Sequence, residues 1–295
     1  MEASCRDLGL MDYKTCWELQ QGLFDALVAR KAACKGATKQ AAAPLAANAD
    51  TAEASKASAR EPAQRSAEAM PSKAGTQSGK GPESPTGSVS AAEGVEPSGV
   101  TGDGSASAGT ILLVEHPPVY TLGKSGHAEN LLIGREALEA MGAQFFHIDR
   151  GGDITFHGPG QAVCYPILDL ARLGIGLREY IFRLEESVIE VVGRYGIRGA
   201  RIAGASGVWI VEEGAAPRKI CAIGVRASRF VTMHGFALNV STDLEWFGLI
   251  NPCGFVDRGV TSIERETGRT VPMDEVKKSI VTVLSEKLDV KIYNK

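Results

Sequence analysis

Arg150-Gly151-Gly152-Asp153-Ile154-Thr155-Phe156-His157-Gly158-Pro159-Gly160-Gln161 is the most unusual stretch of this chain. Paired glycines let a backbone approach a ligand closely and turn its N–H groups inward. Arg150 beside them could hold a carboxylate or phosphate, or simply fix the loop. The spacing fits neither the phosphate-binding P-loop nor the dinucleotide fingerprint. On spacing alone, a plain Gly-rich turn between strands is the simpler reading. Ile154 to His157 and Ala162 to Leu168 then read as strands on either side of the turn Gly158-Pro159-Gly160.

The flanking sequence extends that pattern. Upstream, Gln144 to Asp149 reads as a strand and Glu136 to Met141 as a short helix. The apolar run Thr110 to Glu115 has strand length, His116-Pro117-Pro118 stops it, and Val119 to Leu122 resumes extended. Downstream, Tyr180, Ile181, Leu184, Val188, Ile189 and Val192 give Leu177 to Tyr195 a helical period. Gly207 to Val211, Lys219 to Arg226 and Phe236 to Val240 read as strands, and Asp274 to Leu288 as a final helix. Near the start, Trp17, Leu19, Leu23, Phe24, Leu27 and Val28 make Tyr13 to Lys31 an amphipathic helix. Hairpin-like strand pairs with intervening helices predict an α/β (α+β) domain with a mixed central sheet flanked by helices. The regular βαβ alternation of a doubly wound nucleotide fold is missing.

Residues 35–109 break this pattern. They are almost all Ala, Ser, Gly, Pro, Thr, Glu and Lys, with no aromatic residue and no Ile. Such a segment cannot bury enough apolar surface to offset its ordering entropy, so a disordered surface insertion is expected. The remainder, 1–34 and 110–295, is roughly 220 residues, which suits a single domain with a sizeable core.

Of the 295 residues, 44% are hydrophobic and 23% charged, and the net charge is −3. That balance offers no electrostatic reason to expect nucleic acid or a membrane surface as a partner. No apolar run reaches the roughly 20 residues of a membrane span. Met1 to Tyr13 lacks the features of a secretory signal or presequence. The six cysteines are scattered, which suggests free thiols in a reducing, intracellular compartment. The five histidines show no ligand spacing, so neither a metal nor another cofactor is expected.

Two further positions could carry chemistry. Asn251-Pro252-Cys253-Gly254-Phe255 is a tight turn holding a thiol. Pro252 restrains the backbone and Gly254 leaves room for a substrate carbonyl. A thiol of pKa about 8.5 is only a few per cent ionised at neutral pH, and a nearby amine would raise that fraction. A small buried cysteine is the alternative. Lys219 begins a strand and, by strict alternation, shares a face with Cys221, Ile223 and Val225. Partial shielding there would let it act as a base; a solvated lysine at a strand end is the alternative. His157 and His234 flank glycines, and either ring could pair with a thiol.

Taken together and in order, these stretches resemble the octanoyltransferase family of lipoate biosynthesis, the lipoyl(octanoyl) transferases. The resemblance lies in Leu8 to Tyr13, Glu115-His-Pro-Pro-Val-Tyr-Thr-Leu-Gly123, Arg150 to Gln161, Tyr165-Pro166, Lys219 with Ala222-Ile-Gly224, His234 to Val240, and Ile250-Asn-Pro-Cys-Gly254. It implies a single catalytic domain like the biotin and lipoate protein ligases. It implies transfer of octanoyl from octanoyl-acyl carrier protein to a lysine of lipoyl domains or of the glycine-cleavage H protein. By matching position, Cys253 would be the acyl-thioester nucleophile and Lys219 the group that activates it. Arg150, Gly151, Gly152, Asp153, Ile154, Thr155, Phe156 and His157 would line the acyl site, with Ala222, Ile223, Gly224, Gly235, Phe236 and Ala237. N–H groups near Cys253 and in the Gly151-Gly152 turn would be candidates to hold the oxyanion.

The compartment would be the cytoplasm in a bacterium, or a mitochondrial or plastid matrix in a eukaryote. Three alternatives stand beside this reading. They are an ATP-dependent lipoate or biotin ligase, an amidotransferase moving octanoyl between protein lysines, and a catalytically silent lipoyl-domain-binding module.

Overall fold

The computed structural model describes residues 1–41, 107–251 and 259–295. Strand β1 (Glu2–Leu10) leads into helix α1 (Tyr13–Ala41). Next come β2 (Ser107–Glu115), β3 (Val119–Leu122), α2 (Arg135–Ala140), β4 (Gln144–His147), β5 (Ile154–His157) and β6 (Gln161–Leu168). Then follow α3 (Leu170–Leu173), α4 (Leu177–Gly193), β7 (Gly199–Ile202), β8 (Ala205–Ile210), β9 (Arg218–Ser228) and β10 (Val231–Asn239). The chain ends with β11 (Gly259–Val260), α5 (Ile263–Thr267), α6 (Met273–Leu288) and β12 (Lys291–Asn294).

A nine-stranded sheet runs in the order β12-β1-β2-β6-β10-β9-β8-β7, with β11 also pairing with β9. It is mixed: β1 runs parallel to β12 and β2, and the β2-β6-β10-β9-β8-β7 run is antiparallel. A smaller sheet, β4-β3-β5, carries the Gly-rich turn into β5. The alternation of β2 explains the layering. Ile111 and Leu113 pack with Leu184 and Val188 of α4 and Ile280 and Leu284 of α6. Leu112 and Val114 face the other way, onto Cys16, Phe24 and Leu27 of α1. Each side chain so buried contributes about 1.5–3 kcal/mol. A mixed central sheet flanked by helices is therefore what the periodicities predicted.

Several bounds differ from the sequence reading, each for a physical reason. Glu2–Leu10 is a strand although Arg6 and Asp7 interrupt any apolar run; it forms by pairing along both edges, and only Ala3 and Cys5 enter the main core. The short strands β7 and β12 likewise carry little local signal. Helix α1 continues past Lys31 to Ala41, and β2 begins at Ser107, so both reach into the stretch read as an insertion. The expected disordered segment otherwise lies outside the described residues.

Two irregularities of the sheet matter for the site. All eight positions of β6 are buried, including Pro166, which has no N–H to give. A Cβ on Gly235 would lie 2.1 Å from the Cys164 carbonyl and 2.7 Å from Pro166 Cδ. Glycine is thus required where β10 passes β6. Next to it, His234 takes a left-handed φ of 62°. The second irregularity is a bulge between β8 and β9. Val208 pairs with Cys221, but the next residue, Trp209, pairs with Lys219. One extra residue on β9 breaks the strict alternation assumed from the sequence.

Candidate active site

A cavity of about 250 Å³ opens over β9 and β10. Its floor follows from their register: Ala222 opposes Ala237, and Gly224 opposes Gly235. Four small residues leave a trough where larger side chains would fill the sheet face. Ile223 and Phe236, one residue along on each strand, also border the cavity but pack into the α4–α6 core.

The Gly-rich turn closes one side. The Gly151 N–H donates to the Val225 carbonyl at 3.1 Å, docking the turn on β9. A Cβ on Gly224 would come within 2.9 Å of the Gly151 carbonyl oxygen, so this close approach requires glycine at 224. Arg150 is buried and donates to the Thr121 carbonyl (2.7 Å), the Thr121 hydroxyl (3.1 Å) and the Gly151 carbonyl (3.0 Å). Of its two possible roles, the contacts support fixing the loop. The Asp153 carboxylate accepts from the Ile154 N–H (2.7 Å), from the His127 N–H (3.3 Å) and from Asn130 Nδ2 (2.6 Å). It is a tether for two loops.

Of the expected acyl-site residues, Arg150, Gly152, Asp153, Ile154, Thr155, His157, Ala222, Ile223, Gly224, Gly235, Phe236 and Ala237 border the cavity. Phe156 and Gly151 do not. The Phe156 ring stacks on Trp246 at 5.3 Å and 3°, within a separate apolar cluster that includes Tyr120 and Leu138. Strand alternation turns it away from its neighbours Thr155 and His157. The Gly151 N–H is occupied by Val225 and is not an oxyanion donor.

Lys219 also borders the cavity. The bulge places it there with Ala222 and Gly224, which corrects the shared face with Ile223 and Val225. Its Nζ lies 4.5 Å from the centroid of the Trp209 ring, a cation–π contact. The indole is itself held by Nε1–H donating to the Ala205 carbonyl at 3.2 Å. Arg218, the adjacent cation, is bound to Glu212 and Glu266 and takes no part in the cavity wall.

Cys253 lies outside the described residues. The described chain on both sides of it is anchored. The Asn251 N–H donates to the Asn130 carbonyl at 2.8 Å, and Ile250 bridges to Leu131. On the far side, Val260 pairs with Lys219 itself.

Sequence reasoning did not single out Tyr13, Gln161, Tyr165, Trp209 and Asn239 as site residues, yet all five border the cavity. Four of them fall within or at the ends of the motifs quoted above. Trp209 carried no signal beyond being an aromatic in a strand.

His157 and His234 border the cavity, and His116 packs behind them against the His157 ring. His116 Nδ1–H donates to the Met11 carbonyl (2.8 Å), which leaves Nε2 to accept from the Tyr165 hydroxyl (3.0 Å). His157 stacks on Tyr13 at 6.0 Å and 10°. His234 makes a contact of 3.4 Å with Asp149, which also pairs with Arg226 at 2.7 Å. Burial lowers the pKa of His116 to about 4. Burial, with the neighbouring His116, lowers that of His157 to about 3. Both rings are neutral in the folded protein at neutral pH.

Below pH 6.5 the unfolded chain takes up protons that these rings refuse. Stability therefore falls as the pH drops from 6.5 towards 4 and 3. At pH 5 each ring costs about 2 kcal/mol relative to pH 7. Urea midpoints at pH 7 and pH 5 check this; equal midpoints would contradict it, and His157→Gln is expected to reduce the difference.

Among the described residues no group of three or more His, Cys, Asp or Glu side chains could hold a metal ion. None of the described helices is long and apolar enough to cross a membrane.

Residues 101–285 match the model of the lipoyl protein ligase A/B catalytic domain, which sets the class of the domain. The fold agrees: a chain from the archaeal lipoylation system of Thermoplasma acidophilum, a bi-partite lipoate protein ligase and its E2 lipoyl domain, is similar with a TM-score of 0.51. That match is 16% identical and covers 63% of this chain and 73% of the other. An octanoyltransferase of Bacteroides fragilis is 57% identical over 170 residues, 58% of this chain and 77% of that one. One of Bacteroides thetaiotaomicron is 55% identical over 190 residues, 64% and 83% of the two chains. The chain belongs to the octanoyltransferases of lipoate biosynthesis and is an acyltransferase.

Proposed function

We propose that this enzyme carries octanoyl from octanoyl-acyl carrier protein, through a thioester on Cys253, to a lysine of lipoyl domains or of the glycine-cleavage H protein. The observation that carries this reading is the small-residue trough of Ala222, Ala237, Gly224 and Gly235 with Lys219 on the same cavity wall. An acyl chain seated there gains about 0.8 kcal/mol for each CH₂ removed from water.

The steps balance without a cofactor. The Cys253 thiol gives its proton to the Lys219 amine, and an ammonium held over Trp209 is a ready partner for the thiolate. The thiolate attacks the octanoyl carbonyl carbon. The carrier thiolate leaves and takes the proton back from Lys219. The acceptor lysine, as a neutral amine, then attacks the new thioester, and Lys219 takes its surplus proton and passes it to the departing Cys253 sulfur. Thioester exchange is close to thermoneutral, and amide formation draws the sequence forward.

Incubation with octanoyl-carrier protein and no ATP is expected to add one octanoyl group to the chain, read by intact mass. Transfer to a lipoyl domain should follow, still without ATP. An absolute need for ATP would favour a ligase, and formation of product only from an octanoylated protein lysine would favour an amidotransferase.

A further inference from the structure

Lys219 lies where one strand edge gives way to another. β10 pairs with β9 as far as Leu238 opposite Cys221. β11 then takes the same edge, with Gly259 opposite Arg218 and Val260 opposite Lys219. The Thr261 N–H continues this edge by donating to the Lys219 carbonyl at 2.9 Å. The other edge of β9 is held at Lys219 by Trp209, across the bulge.

Asn239, the last residue of β10, spans the joint. Its Nδ2 donates to the Thr261 carbonyl at 2.9 Å, and its Oδ1 accepts from Gln161 Nε2 at 2.8 Å. Gln161 Oε1 in turn accepts from His157 Nδ1 at 2.8 Å. A carbonyl only accepts, so the Thr261 end dictates both amide orientations and the Nδ1–H tautomer of His157. Asn239 is 4% exposed and Gln161 1%. Polar groups so buried are costly unless satisfied, and here donors and acceptors are matched along the line.

We propose that Asn239 is a positioning residue for acyl transfer: it holds β11 against β9 at Lys219, so that the amine keeps one place on the cavity wall. The role rests on the Cys253–Lys219 reading above. A lysine has a flexible four-carbon stem, so where its amine sits depends on where its backbone is held, and the Trp209 face adds a contact at the amine itself. With the Asn239 donor removed, β11 can slip from the joint, and the Lys219 carbonyl loses its fixed partner on that edge. Of the charged groups nearest in sequence and pairing, Arg218 and Glu266 are bound to each other, and Glu266 also accepts from the Thr261 hydroxyl; neither donates to the Thr261 carbonyl, which is held by Asn239.

The test uses the full chain with Asn239→Leu, which keeps the volume, and Asn239→Ser, which keeps a polar but shorter side chain. Each is assayed for kcat and KM with octanoyl-carrier protein. Each is also assayed for the pH dependence of Cys253 alkylation by iodoacetamide, read by peptide mass. A misplacement of about 1 Å is expected to lower kcat roughly 100-fold with KM held within about twofold. The alkylation midpoint is expected to rise by about one pH unit, towards the 8.5 of an ordinary thiol. A merely structural role would lower the thermal midpoint and leave the alkylation curve in place. Alkylation curves superimposable on that of the unaltered protein overturn the positioning role, and the Ser variant decides if the Leu variant does not fold. Cys253→Ala is run in parallel. If it still forms the octanoyl adduct, the underlying reading is lost and the positioning role with it. If the adduct disappears while the Asn239 curves stay unchanged, only the positioning role is lost.

Discussion

Cys253→Ala is expected to abolish octanoyl transfer, lowering kcat by at least about 10,000-fold. The protein should remain folded, since the substitution removes a single sulfur atom and adds no bulk. Alanine offers no nucleophile, so the whole sequence stops before the first covalent step. The decisive measurement is intact mass after incubation with octanoyl-carrier protein. The unaltered chain should gain one octanoyl group and the variant none. Adduct on the variant would place the nucleophile elsewhere. The remaining cysteines of known position make poor substitutes: Cys5, Cys16, Cys164 and Cys221 are all buried, and burial pushes each thiol above its ordinary pKa.

Lys219→Met should have the next largest effect. Methionine keeps a flexible side chain of similar length beside Trp209 while removing the amine, so folding should survive. Loss of a positioned proton carrier typically costs 100- to 10,000-fold, and a drop in kcat of about 1,000-fold is expected. The alkylation profile of Cys253 should move up in pH, because the thiolate loses its positive partner. A variant with full kcat, or an alkylation curve in its original place, would remove Lys219 from the mechanism. Because the amine serves both half-reactions, single-turnover acylation and single-turnover transfer should slow together.

Much of the site could be read along the chain. The Gly-rich turn, the small residues of β9 and β10, and the lysine at the strand start are all local features. Their spacing carries information because a close backbone approach tolerates only glycine, as Gly224 and Gly235 show in contact. Other features had no local signal. Phe156 looked like a pocket residue because it sits inside the motif, yet a strand turns alternate residues to opposite faces, and this one belongs to the Trp246 cluster. The face of Lys219 was misread for the opposite reason, since a bulge is a property of two strands and is invisible in either one. Asn239 was one polar residue among many until Thr261 came to lie across from it.

By itself, the sequence determined which segments could be helix or strand, where backbone could approach backbone, and which side chains could carry an acyl group or a proton. Those are properties of a few neighbouring residues and their periodicity. The tertiary structure decided the pairing of β1 between β12 and β2, the bulge that brings Lys219 to the cavity, and the line from His157 to Thr261. Each depends on groups ten or more residues apart meeting within hydrogen-bonding distance. That meeting is a matter of packing the whole chain, and no short window of residues encodes it.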